Sequence, residues 1–410
     1  MTLEVSIVLL QFRVKNYRSI GDELTIDLTA GKGREHMDFL INNNGVNILP
    51  VISMYGGNAS GKSNIVDALL DMFTNISSSH TFGEAESFNA IPFFFSGDLR
   101  DKPTECEIFF TLGIHEYQYG YKATGNKVYE EWLYYRKLSV RDTVTKTIFE
   151  RVDDTIKFAG SYKSFERYND LINENSLVLS FLGNRKIKQP SKNEKTFIDI
   201  VYWSRQNIAS SILYMANDSL LYQIYHDIDL LRASALDFLQ EFDPSIEDII
   251  IEKQTDKNGN SAYEALTKHK GEKYSLFIES AGTQKLFEIH AAISTALQKQ
   301  STTLIYDELD TYLHPLILRR IVAMFHDKKI NIMNSQLIFT SHNLTLLNRN
   351  ELRRDEIWFV EKDENEFTTA FSLDSFKSTK DEVRADLDYG KHYLSGRFGA
   401  IPYTQAAKRG

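Results

Sequence analysis

The sequence predicts an α/β fold, and three observations carry that expectation. Gly56-Gly57-Asn58-Ala59-Ser60-Gly61-Lys62-Ser63 satisfies G-x-x-x-x-G-K-[ST], with an apolar strand-like run (Ile48 to Met54) before it and a helix-like run (Ile65 to Leu70) after it. Thr303-Leu304-Ile305-Tyr306-Asp307-Glu308 is an apolar strand that ends in two carboxylates. The later elements alternate as strand Thr302–Tyr306, helix Pro315–His326, strand Gln336–Phe339 and strand Glu356–Glu361, the rhythm of an α/β nucleotide-binding sheet.

The first element binds phosphate. Its glycines let the backbone curl so that successive amides face the β- and γ-phosphates, and the helix start adds partial positive charge. Lys62 would neutralise the β/γ oxygens, and the Ser63 hydroxyl would be a Mg²⁺ ligand. Gly56, Asn58, Gly61, Lys62, Ser63 and Asn64 form the expected nucleotide-binding set.

Taken in order, Leu9–Val14 and Leu24–Leu28 read as strands. Between them, Lys15 and Arg18 either approach the nucleotide phosphates or belong to a solvated turn. Residues 29–47 read as a loop. After the phosphate-loop helix, the segment Ser78 to Lys102 is loop-like and holds an aromatic knot, Phe93-Phe94-Phe95. Three strand-like runs, Glu105–Leu112, Tyr117–Lys122 and Val128–Lys137, suggest an antiparallel β-region beside the nucleotide sheet. From about Arg151 to Phe242 the pattern becomes helical. The basic stretch Arg185 to Lys192 within it reads first as a solvated surface loop and second as a nucleic-acid or partner contact. Strands return at Ile246–Lys253 and Ala262–Lys268, and Thr283–Gln298 is an amphipathic helix with Leu286, Ile289, Ile293, Ala296 and Leu297 on one stripe. There are no sustained heptads, so a long coiled-coil arm is not expected.

On a strand, neighbouring side chains point to different sides. Asp307 can therefore hold the Mg²⁺ shell while Glu308 faces the attacking water as general base. The wide gap between Lys62 and Asp307 fits an ATPase whose nucleotide fold is interrupted by an insertion. Glu279-Ser280-Ala281-Gly282-Thr283, just before the amphipathic helix, supplies a hydroxyl and free amides for an anion. As a bare pattern it is also ordinary N-capping. Because the chain already has one phosphate cradle, the simplest use of a second is to close over the γ-phosphate bound by another copy. His342, ending Gln336-Leu337-Ile338-Phe339-Thr340-Ser341-His342, could reach the same phosphate and position the water.

These elements, in this order, resemble the ABC-type ATPase heads of the SMC and RecF group. Asn58, Ser60 and Lys15-Asn16-Tyr17-Arg18-Ser19 resemble that group more than membrane transporters. The chain also looks like the bacterial abortive-infection (AbiL-like) ATPases of phage-defence operons. The residues are Glu279 to Thr283, Asp307-Glu308-Leu309-Asp310, Leu313-His314-Pro315 and Tyr393-Leu394-Ser395-Gly396-Arg397-Phe398-Gly399-Ala400-Ile401-Pro402. The likeness covers roughly 9–137 and 245–403. It implies an ABC-type P-loop ATPase head, a mixed nucleotide-binding sheet plus an antiparallel β-region, with an inserted, mostly helical subdomain. It also implies ATP and Mg²⁺ as cofactors and a head-to-head dimer around ATP, in which Ser280, Gly282 and Thr283 act in trans and Asp310 belongs to the loop after the carboxylate strand. Glu279 and Ala281 stand where transporters have Leu and Gly, and no residue can be named for the glutamine loop. The expected divisions are 1–137 (first ATPase lobe), 138–244 (helical insertion), 245–350 (second lobe) and 351–410 (C-terminal strands and tail).

The net charge of −9 argues against a uniformly basic surface that wraps DNA, though not against a local basic patch. A single cysteine, Cys106, excludes an intramolecular disulfide and fits a reducing cytosol. No apolar run is long enough for a membrane span, and Met1 to Val8 carries Glu4 rather than the basic start of a signal peptide. A cytoplasmic protein is expected. Its first functional reading is an ATPase that senses infection and controls a separate effector, such as a nuclease or toxin encoded nearby. The second is a RecF-like DNA-repair ATPase, and the third is a nuclease or toxin in its own right. The third is weakest: too little chain follows His342 for a Toprim domain, no Cys/His metal cluster appears, and Arg320 and His326 read as surface residues.

Overall fold

Val51–Tyr55 places five buried residues in succession, as a strand covered on both faces should. It is the middle strand of a sheet in the computed structural model, which describes residues 7–82, 87–138, 144–212, 218–255, 261–298, 301–376 and 388–401. In chain order, β1 (Ile7–Lys15), β2 (Leu24–Asp27), the short pair β3 (Ile41–Asn43) and β4 (Val46–Ile48), and β5 (Val51–Tyr55) lead into helix α1 (Lys62–Ser78). A single turn, α2 (Gly97–Arg100), precedes the antiparallel strands β6 (Thr104–Leu112), β7 (His115–Ala123), β8 (Val128–Lys137), β9 (Lys146–Val152) and β10 (Thr155–Phe158). With β1 and β2 they make a seven-stranded sheet ordered β10-β9-β8-β7-β6-β1-β2.

The antiparallel region is therefore present but does not stop at Lys137. Strands β9 and β10 fall inside the stretch 138–244 that the sequence reading assigns to helices, and they run past Arg151. Ile148, Phe149, Arg151, Ile156 and Phe158 are buried, while charged residues occupy the other face. Asp153, at φ 49°, turns the chain between the two strands. Helical structure follows β10, first as a 3₁₀ stretch over Gly160–Leu171 and then as α3 (Val178–Gly183), α4 (Lys192–Ile212), α5 (Asp218–Asp227) and α6 (Asp229–Gln240).

A three-stranded sheet follows: β11 (Asp248–Thr255), β12 (Ser261–His269) and β13 (Glu272–Ser275). Helix α7 (Ala281–Gln298), β14 (Thr303–Tyr306), α8 (Pro315–His326), β15 (Gln336–Thr340), β16 (Ile357–Lys362), β17 (Thr368–Ser372) and α9 (Tyr389–Leu394) complete the described chain. The nucleotide-type sheet has the order β14-β15-β5-β16-β17. Its first four strands pair in parallel and β17 runs antiparallel on the edge.

Alternation along β5 divides the interior in two. Ile52 and Met54 join a core with α1 and the seven-stranded sheet, whereas Val51 and Tyr55 join a second core with α7 and α8. The helical stretch packs on this body: Asn207 of α4 accepts a hydrogen bond from the Thr303 amide of β14 at 2.9 Å. His326 corrects another expectation. It is only 6% exposed, and its Nε2 lies 3.0 Å from the buried Glu356 carboxylate. Arg320 does stay at the surface, paired with Glu241. Pro402, the last residue of the C-terminal run noted above, lies outside the described residues. Among the described residues no helix is long and apolar enough to cross a membrane.

Candidate nucleotide-binding site

The loop Gly56–Ser63 joins β5 to α1 at the carboxyl ends of the parallel strands, where open α/β sheets take their ligands. Its glycines are there for space. A Cβ on Gly56 would sit 2.2 Å from the Val360 carbonyl oxygen. Gly61 has φ 105°, and a Cβ there would lie 1.9 Å from Thr368 Oγ1. Lys62 is buried, and its ammonium donates to the carbonyls of Gly56 (2.9 Å) and Gly57 (3.2 Å). Burial pulls its pKa down, while Asp307, Glu308 and Asp310 pull the other way.

The loop is braced from outside by segments far away in sequence. Asn64 Nδ2 donates to Ser19 Oγ at 2.6 Å, Ser19 Oγ meets Thr368 Oγ1 at 2.7 Å, and Thr368 Oγ1 donates to the Ser60 carbonyl at 3.0 Å. That last bond uses the Thr368 proton, so Ser19 is the donor between the two hydroxyls. On the other flank, the Gly57 amide donates to the Ala400 carbonyl at 3.0 Å, and the Ala400 amide donates to Glu361 Oε2 at 2.6 Å. Tyr393 OH reaches the same Ala400 carbonyl at 2.9 Å. The C-terminal run noted in the sequence is thus a support for the phosphate loop. Thr368 and Glu361 escaped the sequence reading, since no local pattern marks them.

The carboxylates stand past the end of β14. Thr340, at the end of β15, donates to Asp307 Oδ1 at 2.5 Å and accepts from the Glu308 amide at 2.7 Å. Glu308 adopts φ 50°, a left-handed backbone that a non-glycine residue holds only where its surroundings enforce it. The His342 amide donates to Asp310 Oδ2 at 3.2 Å, which ties the histidine loop to the loop after the carboxylates. Thr340, like Thr368 and Glu361, has no role that its sequence context reveals.

A cleft of about 640 Å³ gathers most of the expected set. Asn58, Gly61, Lys62, Ser63, Asn64, Arg18, Glu308 and His342 all line it. Gly56 lies under Lys62, and Asp307 lies beside Glu308, held by Thr340. Arg18, left between two readings by the sequence, faces the cleft with its guanidinium paired to Asp67 of α1. Burial raises the pKa of Asp67, and Arg18 opposes that shift. Ser280, Gly282 and Thr283 are not among the residues lining the cleft. They start α7, where Ser280 Oγ accepts from the Thr283 amide at 3.1 Å and meets its hydroxyl at 2.9 Å. Glu279 Oε1 is held by Thr267 (2.5 Å) and His269 (2.8 Å).

The oxygen donors suit Mg²⁺. Among the described residues no group of three or more His, Cys, Asp or Glu could cage a metal. One hydroxyl and one carboxylate, Ser63 and Asp307, match an ion that fills its remaining positions with phosphate and water.

The family described as "AAA domain, putative AbiEii toxin, Type IV TA system" matches residues 51–348, well over half of the chain. The chain belongs to this family. This AAA-domain protein also aligns with solved SMC heads. One, bound to the C-winged helix domain of ScpA, is 14% identical with a TM-score of 0.41, over 91% of this chain and 98% of that one. The SMC head domain from Thermotoga maritima is 16% identical with a TM-score of 0.40, over 89% and 98%. An Smc head with an extended coiled coil, bound to the C-terminal domain of ScpA and derived from Pyrococcus furiosus, is 13% identical with a TM-score of 0.42, over 89% and 96%. No curated protein sequence matches. The fold is α/β: a phosphate loop on the middle strand of a mixed sheet, with an antiparallel sheet beside it.

Proposed function

We propose that this AAA-domain protein binds ATP with Mg²⁺, dimerises around it, and hydrolyses it as the regulatory subunit of an anti-phage system with a separate effector. One observation carries the reading. The cleft joins the phosphate loop to Glu308 and His342, while the helix start at Ser280–Thr283 is not part of its lining. Beside that helix start Phe277, Ile278 and Tyr312 are all more than 60% exposed. The Gly282 Cα lies so close to Tyr312 that an added Cβ would be 3.0 Å from its carbonyl. Exposed apolar side chains around a helix N-terminus suit a partner surface, and in this reading a second copy brings its bound γ-phosphate to that terminus.

In this reading Lys62 leaves the loop carbonyls for the β/γ-phosphate oxygens. The Glu308 carboxylate takes a proton from water as its oxygen bonds to the γ-phosphorus. The bond from that phosphorus to the β–γ bridging oxygen breaks, and ADP and phosphate leave. His342 positions the γ-phosphate and the water. Ser63 and Asp307 would hold Mg²⁺, which draws off charge from the phosphate oxygens. The family's toxin–antitoxin description supports the defence setting. The effector would be a protein such as a nuclease or toxin.

Mixing two inactive chains, Lys62→Ala and Ser280→Arg, tests the shared site. A heterodimer of the two contains one composite site with every part intact, so partial recovery of ATPase activity is expected. No recovery, with dimers present, overturns sites built in trans. A DNA-acting ATPase would instead show DNA stimulation that collapses as salt rises. The exposed Lys186, Lys188 and Lys192 are where such contacts would form.

A further inference from the structure

The aromatic run Phe93-Phe94-Phe95 takes no part in the chemistry above, yet it is held with unusual care. Asn16, only 2% exposed, donates through Nδ2 to the carbonyls of Leu99 (2.9 Å), Lys102 (2.8 Å) and Pro103 (3.2 Å). Its Oδ1 accepts from the Phe93 amide at 3.0 Å. The Arg18 amide donates to the Ile91 carbonyl at 2.8 Å, and Arg100 donates to the Phe94 carbonyl at 3.0 Å. Asn16 and Arg18 can reach this loop because both take positive φ, 53° and 47°, in the turn after β1.

These clamps bury one ring and present two. Phe93 is 1% exposed, edge-on to Phe367 at 4.8 Å and to Phe95 at 5.6 Å. Phe94 is 50% and Phe95 79% exposed, and both line the same cleft as the phosphate loop and Arg18.

Strand order says which end of a ligand they would meet. In β14-β15-β5-β16-β17, Glu308 and His342 follow the strands on one side of β5. Phe367 and Thr368 lie on the other side, at the start of β17, and Phe93 of the aromatic loop packs edge-on there. A triphosphate with its γ-phosphate at Glu308 and His342 and its middle on Lys62 therefore runs its nucleoside toward Phe94 and Phe95. The cleft's volume, about 640 Å³, lies within the usual range for a ligand of that size.

Building on the ATP-binding reading, we infer that Phe94 and Phe95 are the nucleobase platform of this site. Two phenyl faces offer stacking area and no hydrogen-bond code. The platform registers the presence of a base rather than its identity, and it favours the larger purine surface.

The test compares Mg²⁺-ATP, Mg²⁺-GTP and Mg²⁺-tripolyphosphate binding by calorimetry to the full chain. For the wild type, ATP and GTP should agree within about threefold, and tripolyphosphate should be weaker by about five- to a hundredfold, the size of a base–aromatic stack. In the double variant Phe94→Ala/Phe95→Ala, ATP should fall to the tripolyphosphate level with tripolyphosphate unchanged, and Phe95→Trp should retain ATP. Both rings are exposed and the Phe93 anchor is untouched, so an unaltered melting curve is expected alongside. Undiminished ATP affinity in the double variant overturns the platform. So does an equal loss for ATP and tripolyphosphate, or a loss seen only as failed dimerisation in sedimentation. Lys62→Ala separates the two readings. If it leaves tripolyphosphate binding intact, the phosphate loop is misassigned. If it abolishes binding while the double variant behaves as wild type, only the platform falls.

Discussion

The phosphate loop and the start of α7 both sit at helix N-termini, but the structure finishes them differently. The loop is braced by three distant segments: Ser19 after β1, Thr368 on β17, and Ala400 near the described C-terminal end. Its lysine is buried and its glycines fit against neighbouring backbone or side chain. The α7 start is capped by its own Ser280 and Thr283, with Gln284 on the preceding carbonyls. Among the described residues its brace from elsewhere reaches only Glu279, from Thr267 and His269, and the apolar side chains nearby face outward. One site is organised to receive a ligand from solution. The other has the character of a surface completed by contact. The first should fail when an internal support is removed, the second only when the surface itself is changed.

The largest effect belongs to the completed site. Glu308→Gln should slow ATP hydrolysis by ~10²–10⁴-fold while leaving ATP affinity in place, since the amide cannot accept the water's proton. Phosphate release and nucleotide binding, measured on the same preparation, check it, and unchanged turnover removes Glu308 from its role. Next comes Thr340→Val, which keeps the shape of the side chain but strips Asp307 and the Glu308 amide of their shared partner. A hydrogen bond to a charged group is worth about 1.5–3 kcal/mol, so turnover should fall by roughly ten- to a hundredfold. Normal turnover in Thr340→Val would show that Glu308 holds its left-handed backbone without this threonine.

Thr368→Val probes the brace instead of the chemistry. It leaves the Ser60 carbonyl and the Ser19–Asn64 pair without their link, in a buried setting. A loss of about 1–2 kcal/mol in unfolding free energy is expected, with Thr368→Ser restoring it because the hydroxyl returns. Denaturant titration of the three proteins decides the matter. Equal stability of the valine and serine variants would mean that the loop does not depend on β17.

These supports show where sequence reading succeeds and where it stops. Gly56 to Ser63 and Thr303 to Glu308 are legible because the chemistry lies in consecutive residues, and the succession of strands and helices from Thr302 to Glu361 is legible in their alternating patterns. Thr368 and Glu361 are brought to the loop only by folding, across about three hundred positions, and Ser19 across some forty, with no local spacing to betray them. Strands β9 and β10 are hard to read because Lys146, Glu150, Arg151 and Lys157 interrupt the apolar residues, although Lys146, Glu150 and Lys157 fall on an open face and only Arg151 turns inward. His326 ends an amphipathic helix, where basic residues usually meet solvent. Glu356, from a segment that packs against it later in the chain, turns it inward.

The smallest expected effect tests the unfinished site. Phe277 is 62% and Ile278 68% exposed in a short turn before α7, so replacing both by Ser removes little that the single chain buries. Stability of the nucleotide-free protein should change by no more than about 0.5 kcal/mol, as for surface substitutions generally. The affinity of each chain for ATP should also stay within about twofold, because neither residue lines the cleft. Association is where the change should appear: ATP-dependent dimers, followed by sedimentation at rising protein concentration, should form at least about tenfold less readily, since losing two apolar anchors costs more than about 1.4 kcal/mol. If the double variant instead unfolds more easily and dimerises as before, those side chains serve the fold of β11–β13, and the α7 start is a finished helix cap rather than half of a site.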